Sequence, residues 1–108
     1  MSEVTKELTA VPRGQWKLVR VDGVIEVRVG KPTPAEVLNA IGATALDTVN
    51  LRGPGGALTG VVMFVDDNGL AKGLQRNVVA TAIYHAQCKP GTTHPICGDV
   101  GFVNDDDF

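Results

Sequence analysis

Both histidines and both cysteines of the chain fall in one stretch, His85-x2-Cys88-x5-His94-x2-Cys97. Imidazole and thiolate are ligands that zinc takes in a tetrahedral site, and short spacings let two of them reach one ion. His85 and Cys88, three apart near the end of an expected helix, share a side. The loop 89–93 could then turn back to bring His94 and Cys97 into the shell. The spacing is not one of the standard zinc patterns, and the cysteines form no C-x-x-C pair. The competing reading is a surface histidine at a helix end, a half-buried cysteine, and a loop histidine beside proline. Two thiols also allow a disulfide, although a chain without a secretion signal is expected to keep them reduced. A cysteine thiolate served by a histidine base is a further arrangement of the same residues. Proximity in sequence does not establish contact, and no nucleophile elbow surrounds either cysteine, so no enzyme is expected.

A second candidate is the group Lys72, Arg76 and Asn77. Asn77 reads first as the N-cap of a helix. Free amides at a helix N-terminus, with two cations just upstream, also suit a small anionic ligand such as a nucleotide. The glycines at 53, 55, 56 and 60 do not make a phosphate loop, because no Gly-Lys-Ser/Thr ending follows and the chain runs on into an apolar strand. They read as a strand connection. The aspartates at 105–107 read as a solvated tail. Trp16 and Tyr84 read as core and rim packing rather than stacking platforms.

The elements that must position these groups follow from periodicity. Residues 1–14 show no period and read as a flexible lead-in. From Trp16, two alternating runs flank Asp22-Gly23, a preferred two-residue hairpin turn. That turn pairs Val21 with Val24, Val19 with Glu26 and Lys17 with Arg28. It sets Trp16, Leu18, Ile25, Val27 and Val29 on one core-facing side, with Arg20 near water. Thr33, Pro34 and Glu36 are an N-cap, a first-turn proline and a capping-box acid, so a helix runs over 34–41 and closes at Gly42. Residues 48–52 read as a short strand. The apolar run 61–65 suits a buried central strand, and Asp66-Asp67-Asn68-Gly69 turns the chain. A second helix starts after Asn77 and extends to about residue 87, burying Val79, Ala82, Ile83 and Ala86. Residues 96–103 alternate imperfectly as a last strand. The expected fold class is α+β, with order β-β-α-β-β-α-β: a small mixed, mostly antiparallel sheet of about five strands, with two helices on one face. Residues 15–104 form the single domain, and 105–108 are an acidic tail.

Composition excludes several classes. The chain has 108 residues, 44% apolar and 20% charged, which fits one globular domain and not a disordered chain. Ten basic residues stand against twelve acidic ones, a net charge of −2, so no basic excess favours nucleic acid. No apolar run reaches the ~20 residues of a membrane helix, and the polar start lacks a signal core. A cytoplasmic protein without a membrane partner is expected.

With these residues in view, the segment 65–103 resembles a family of uncharacterised small proteins encoded by actinobacterial phages, prophages and plasmids. The matching pieces are residues 66–70 (DDNGL), 72–77 (KGLQRN), 80–84 (ATAIY) and 91–100 (GTTHPICGDV). The earlier half matches only loosely. In such proteins the position of Gln75 is often proline and that of Cys97 often aliphatic. The second departure weighs against zinc, since a family-wide site would not lose a ligand. The resemblance implies an accessory protein in the cytoplasm of a bacterial host and carries no catalytic residues with it.

The expected function is therefore binding of a host macromolecule, with a protein as first choice. The alternatives are a zinc-stabilised binding module, for which nucleic acid is one partner to consider, and an oligomeric binder of a small anion. A sheet this small leaves edges to cover, and self-association into a homo-oligomer is one way to cover them.

Overall fold

The computed structural model describes residues 8, 10–52, 58–87 and 95–104. Five strands and two helices appear in the expected order: β1 (Gln15–Val19), β2 (Ile25–Val29), α1 (Pro34–Ile41), β3 (Leu46–Arg52), β4 (Leu58–Asp66), α2 (Val78–Gln87) and β5 (Val100–Asn104). The sheet order is β2-β1-β5-β4-β3, and all four pairings are antiparallel. The two hairpins, β1–β2 and β3–β4, stand side by side. The last strand fits between them and makes one sheet of the two.

Both faces of the sheet are covered. Strand side chains alternate, so the apolar run of β4 sends Val61, Met63 and Val65 one way and Val62 and Phe64 the other. The first set packs with Val19, Val100, Phe102 and, from α2, Ala80 and Ile83. The second set packs with Trp16, Leu18, Val103 and, from α1, Val37 and Ile41. The helices thus lie on opposite faces, not on one as the element order alone suggests. A central strand apolar on both sides requires this, since either face left open would put valines or phenylalanine in water. There are two interiors separated by the sheet, rather than one. At Gly101 the fit is close: an added Cβ would lie 3.1 Å from the Val37 side chain and 3.4 Å from the Trp16 ring.

Helix α1 is closed at both ends as its sequence specifies. The Glu36 amide donates to the Thr33 hydroxyl at 3.1 Å. Gly42 takes the left-handed conformation, φ +69°, and the Ala43 amide reaches back to the Leu38 carbonyl.

The first hairpin differs from its expected register by one residue. The pairs are Val19 with Ile25, Leu18 with Glu26, Lys17 with Val27 and Trp16 with Arg28. The loop holds three residues, Val21, Asp22 and Gly23, rather than two. The Arg20 amide donates to the Val24 carbonyl and the Gly23 amide to the Arg20 carbonyl, with Gly23 at φ +89°. This is the three-residue alternative to the two-residue turn. A slip of one residue exchanges the faces of a strand. Glu26 and Arg28 therefore share a face with Trp16 and Leu18. Ile25 is half-buried on the other face, and Val27 and Val29 are exposed instead of buried.

Three further differences follow from tertiary contacts. In α2, Ala80 and Ile83 are buried with Val79 half-buried, while Ala82 and Ala86 are exposed. Residues 96–98 precede the last strand instead of belonging to it, and meet the segment just before α2 through an isolated bridge between Arg76 and Cys97. In the stretch read as lead-in, Leu8 and Val11 are buried in the α2-side interior. Asn104 donates to the Val11 carbonyl at 2.9 Å, which ties that segment to β5.

Candidate functional site

Two polar side chains fix the rotation of α2. Asn77 is fully buried. Its Oδ1 accepts from the Ala80 amide at 3.0 Å, capping the helix. Its Nδ2 donates to the carbonyls of Val19 and Gly98, each at 3.1 Å. One turn on, the buried Thr81 hydroxyl donates to the Ile96 carbonyl and accepts from the Ile96 amide. The Asn77 amide also donates to the Ile96 carbonyl at 2.8 Å. The segment before β5 thus pairs backbone to backbone with residues 75–77, and the side chains of Asn77 and Thr81 supply further hydrogen bonds to it. The helix turns its polar pair, and with it Ala80, toward the protein. That is why the expected stripe of Val79, Ala82, Ile83 and Ala86 is only partly right.

This segment, residues 95–98 (the strap), forms one wall of a cleft of about 300 Å³. The floor is apolar: Val49 of β3, Val65 of β4 and Ile96 of the strap. Tyr84 of α2, Pro95 and Cys97 form the sides, and Leu70 stands at the mouth. The rim is acidic, with Asp47 of β3 and Asp67 of the turn after β4, and Asp66, the last residue of β4, also lines the cleft. Asp66 is held inside the fold. Its side chain has no exposure and accepts from Lys72 at 2.6 Å and from the Asn68 amide at 2.9 Å. Asp47 and Asp67 are exposed, as is Leu70. The turn approaches the strap closely, because a Cβ added at Gly69 would meet the Cys97 carbonyl oxygen at 2.5 Å. Only glycine fits that position without displacing the backbone. A shallower depression lies between the β1–β2 loop and the end of α1, lined by Val21, Ile41, Leu74 and Asp99.

At the tip of the β1–β2 hairpin, Asp99 accepts from the Arg20 guanidinium at 2.8 Å and from the Val21 amide at 3.0 Å. The Asp99 hydrogen bond is the chief reason that the Arg20 guanidinium holds its proton more tightly than usual. On β2, Glu26 accepts from Arg28 and Arg20. Those bonds, Arg28 first, hold its carboxyl below the ordinary glutamate range. The Arg28 guanidinium also sits 5.6 Å from the centre of the Trp16 ring.

The sequence-derived candidates fare differently. Lys72 donates to Asp66 and reaches the Gly42 carbonyl at 3.4 Å, and Asn77 has its amide engaged three ways. Both hold the fold together; of the three anion candidates Lys72 and Arg76 stand at exposed positions, and Asn77 is buried. Of the four zinc candidates, Cys88 and His94 lie outside the described residues. His85 is half-buried, with its ring 6.1 Å from that of Tyr84, and Cys97 is a buried free thiol in the cleft wall. Among the described residues no three metal-ligating side chains gather at one point. The glycines at 53, 55 and 56 and the aspartates at 105–107 also lie outside the described residues. Sequence reasoning missed Asp47, Asp67, Leu70 and Tyr84 as a group. The turn residues were visible, but nothing local brings β3, α2 and the strap around them.

No helix among the described residues is long and apolar enough to cross a membrane. No family model matches the chain, and the comparisons with curated proteins and with solved structures return no match.

Proposed function

We propose that this protein works by binding another protein, and that the cleft between α2 and the β3–β4 hairpin receives a segment of it. The observation that carries this reading is the pairing of an apolar floor with two exposed carboxylates, Asp47 and Asp67, and with Leu70 at the mouth. Such a site suits an apolar side chain flanked by lysine or arginine. The apolar group gains by leaving water, and the rim selects the flanking charge. Binding needs no catalytic group; the buried Asp66 beside the cleft is held by Lys72, which leaves Asp47 and Asp67 as its exposed charges. The resemblance of residues 65–103 to small phage-encoded proteins agrees with an accessory role in a bacterial cytoplasm, with a host protein as the partner.

The test is capture from host lysate with the wild-type chain and with an Asp47→Lys/Asp67→Lys double variant, which changes only exposed positions. A partner held by the first and lost by the second, with the circular-dichroism spectrum unchanged, is the expected outcome. Retention of the same proteins by both would remove the cleft from the account. Capture of none would remove the function.

A further inference from the structure

Strand β2 ends the sheet, and its only neighbour among the described residues is β1. Hydrogen bonds at both ends of the β1–β2 ladder show which way its backbone groups point. Arg20 donates to the Val24 carbonyl and Gly30 to the Gly14 carbonyl. Antiparallel ladders alternate, so Val24, Glu26, Arg28 and Gly30 sit at the positions bonded to β1. Ile25, Val27 and Val29 turn their N–H and C=O groups outward along the open edge. Their side chains leave the sheet on the α2 face, where Val27 is 54% and Val29 87% exposed. On the other face stand one acid and one base, Glu26 and Arg28.

We propose that two copies of this chain pair β2 against β2, antiparallel and centred on Val27, so that their sheets become one across a two-fold axis. In this register Val27 faces Val27 of the second copy and Ile25 faces Val29. Each of these residues presents its outward-facing backbone groups to its opposite. Glu26 faces Arg28 of the second copy, and Arg28 faces Glu26. Moving the axis one residue either way keeps the backbone bonds but sets Glu26 against Glu26, or Arg28 against Arg28. Like charges directly opposite destabilise a pair of strands. The charges therefore select the register that also stacks the valines. An isologous contact of this kind closes on itself and leaves no further edge on that side. It covers little surface beyond the strand, so association is weak and depends on concentration. The surface is separate from the cleft, and neither reading depends on the other.

Sedimentation of the full chain over a range of concentrations tests the pairing. The wild-type mass rises from that of one chain toward twice that value. Val27→Lys, at an exposed position, stays at the mass of one chain where the wild type is mostly paired. Glu26→Arg and Arg28→Glu each place like charges opposite one another and stay single when alone. Mixed together they pair, because two bases on one strand then meet two acids on the other. Circular dichroism confirms that each variant is folded. A wild type that keeps the mass of one chain up to millimolar concentration overturns the proposal. Unimpaired pairing of the Val27→Lys variant overturns it too, as does failure of the mixed variants to associate while the wild type does.

Discussion

The two edges of the sheet are built differently. Along β3 the exposed residues are Asp47, Thr48 and Asn50, and its register with β4 shifts between Asn50 and Arg52. Charge and a break in register both discourage a further strand from adding there. Along β2 the sequence is Ile-Glu-Val-Arg-Val, regular over all five residues, with its outer valines exposed. It carries neither proline nor bulge, and its two charges cancel. The β3 edge is closed to a further strand by its own residues and contributes its inner face to a cleft. The β2 edge is left open to one partner of matching charge order. Edges of one sheet can therefore be read separately, each from the side chains it presents.

The comparison is sharpest where it concerns burial. Leu51 on β3 is fully buried, while Val29 on β2 is 87% exposed. Leu51→Ala is expected to lower the unfolding free energy by about 3 kcal/mol, from lost transfer energy and the cavity left behind. Val29→Ala should change it by less than about 0.5 kcal/mol in dilute protein. Urea unfolding measures both. A large loss at Val29 in dilute solution would show that the β2 edge is already covered within one chain.

A substitution between the edges serves as a control. Asn77→Asp keeps the capping acceptor but removes both donors to Val19 and Gly98. It should cost at least about 2 kcal/mol, since two buried carbonyls lose their donor and face a carboxylate oxygen instead. That loss should be the same at every protein concentration, whereas changes at Val27 should matter only where chains pair. If the Asn77→Asp loss grew with concentration, it would link the α2 latch to self-association and blur the distinction between centre and edge.

How much of this the sequence disclosed depended on how local each signal is. Helix α1 was legible to the residue, because Thr33, Pro34, Glu36 and Gly42 act on their own neighbours. Strand order along the chain was legible from the alternation around Asp22-Gly23 and from the unbroken apolar run 61–65. The hairpin register was not, because Asp22-Gly23 fits both a two- and a three-residue loop. The choice between them falls to contacts such as Arg20 with Asp99, 79 positions apart. The rotation of α2 was hidden for the same reason. Apolar periodicity favoured Ala82 and Ala86, but Asn77 and Thr81 find their partners in the strap. The cleft was the least legible part, since β3, α2 and the strap contribute to it from three separate stretches. The open edge could be read only once the register was known, because one residue decides which face carries the valines.

Each end of the sheet also carries an ion pair, and the two should differ in size. Lys72 meets an Asp66 side chain with no exposure, near the β3 edge. Lys72→Ala leaves that carboxylate with the Asn68 amide and is expected to cost about 1–2 kcal/mol in urea unfolding. The Arg28–Glu26 pair on β2 joins side chains 42% and 40% exposed. Arg28→Ala should leave the melting temperature of dilute protein unchanged within error, as exposed pairs contribute little. Equal losses at the two ends would mean that Glu26 is less accessible than the edge geometry shows.

The smallest expected effect is a titration. The Arg28 hydrogen bond, followed by that of Arg20, lowers the carboxyl pKa of Glu26. Because the folded value is the lower one, the pair's contribution is in place above the carboxylate pKa of the unfolded chain. It disappears as pH falls through the folded value. Carboxyl chemical shifts followed by NMR in dilute protein should give a Glu26 midpoint below the ordinary glutamate value. Arg28→Ala should move it back up, and Arg20→Ala should move it by less. Glu26 and Arg28 are also the two charges that would face each other across paired β2 strands. Raising the protein concentration should therefore lower the wild-type midpoint further, as a second Arg28 approaches. A midpoint unmoved by concentration in a sample that sedimentation shows to be paired would place the contact on some other surface than β2.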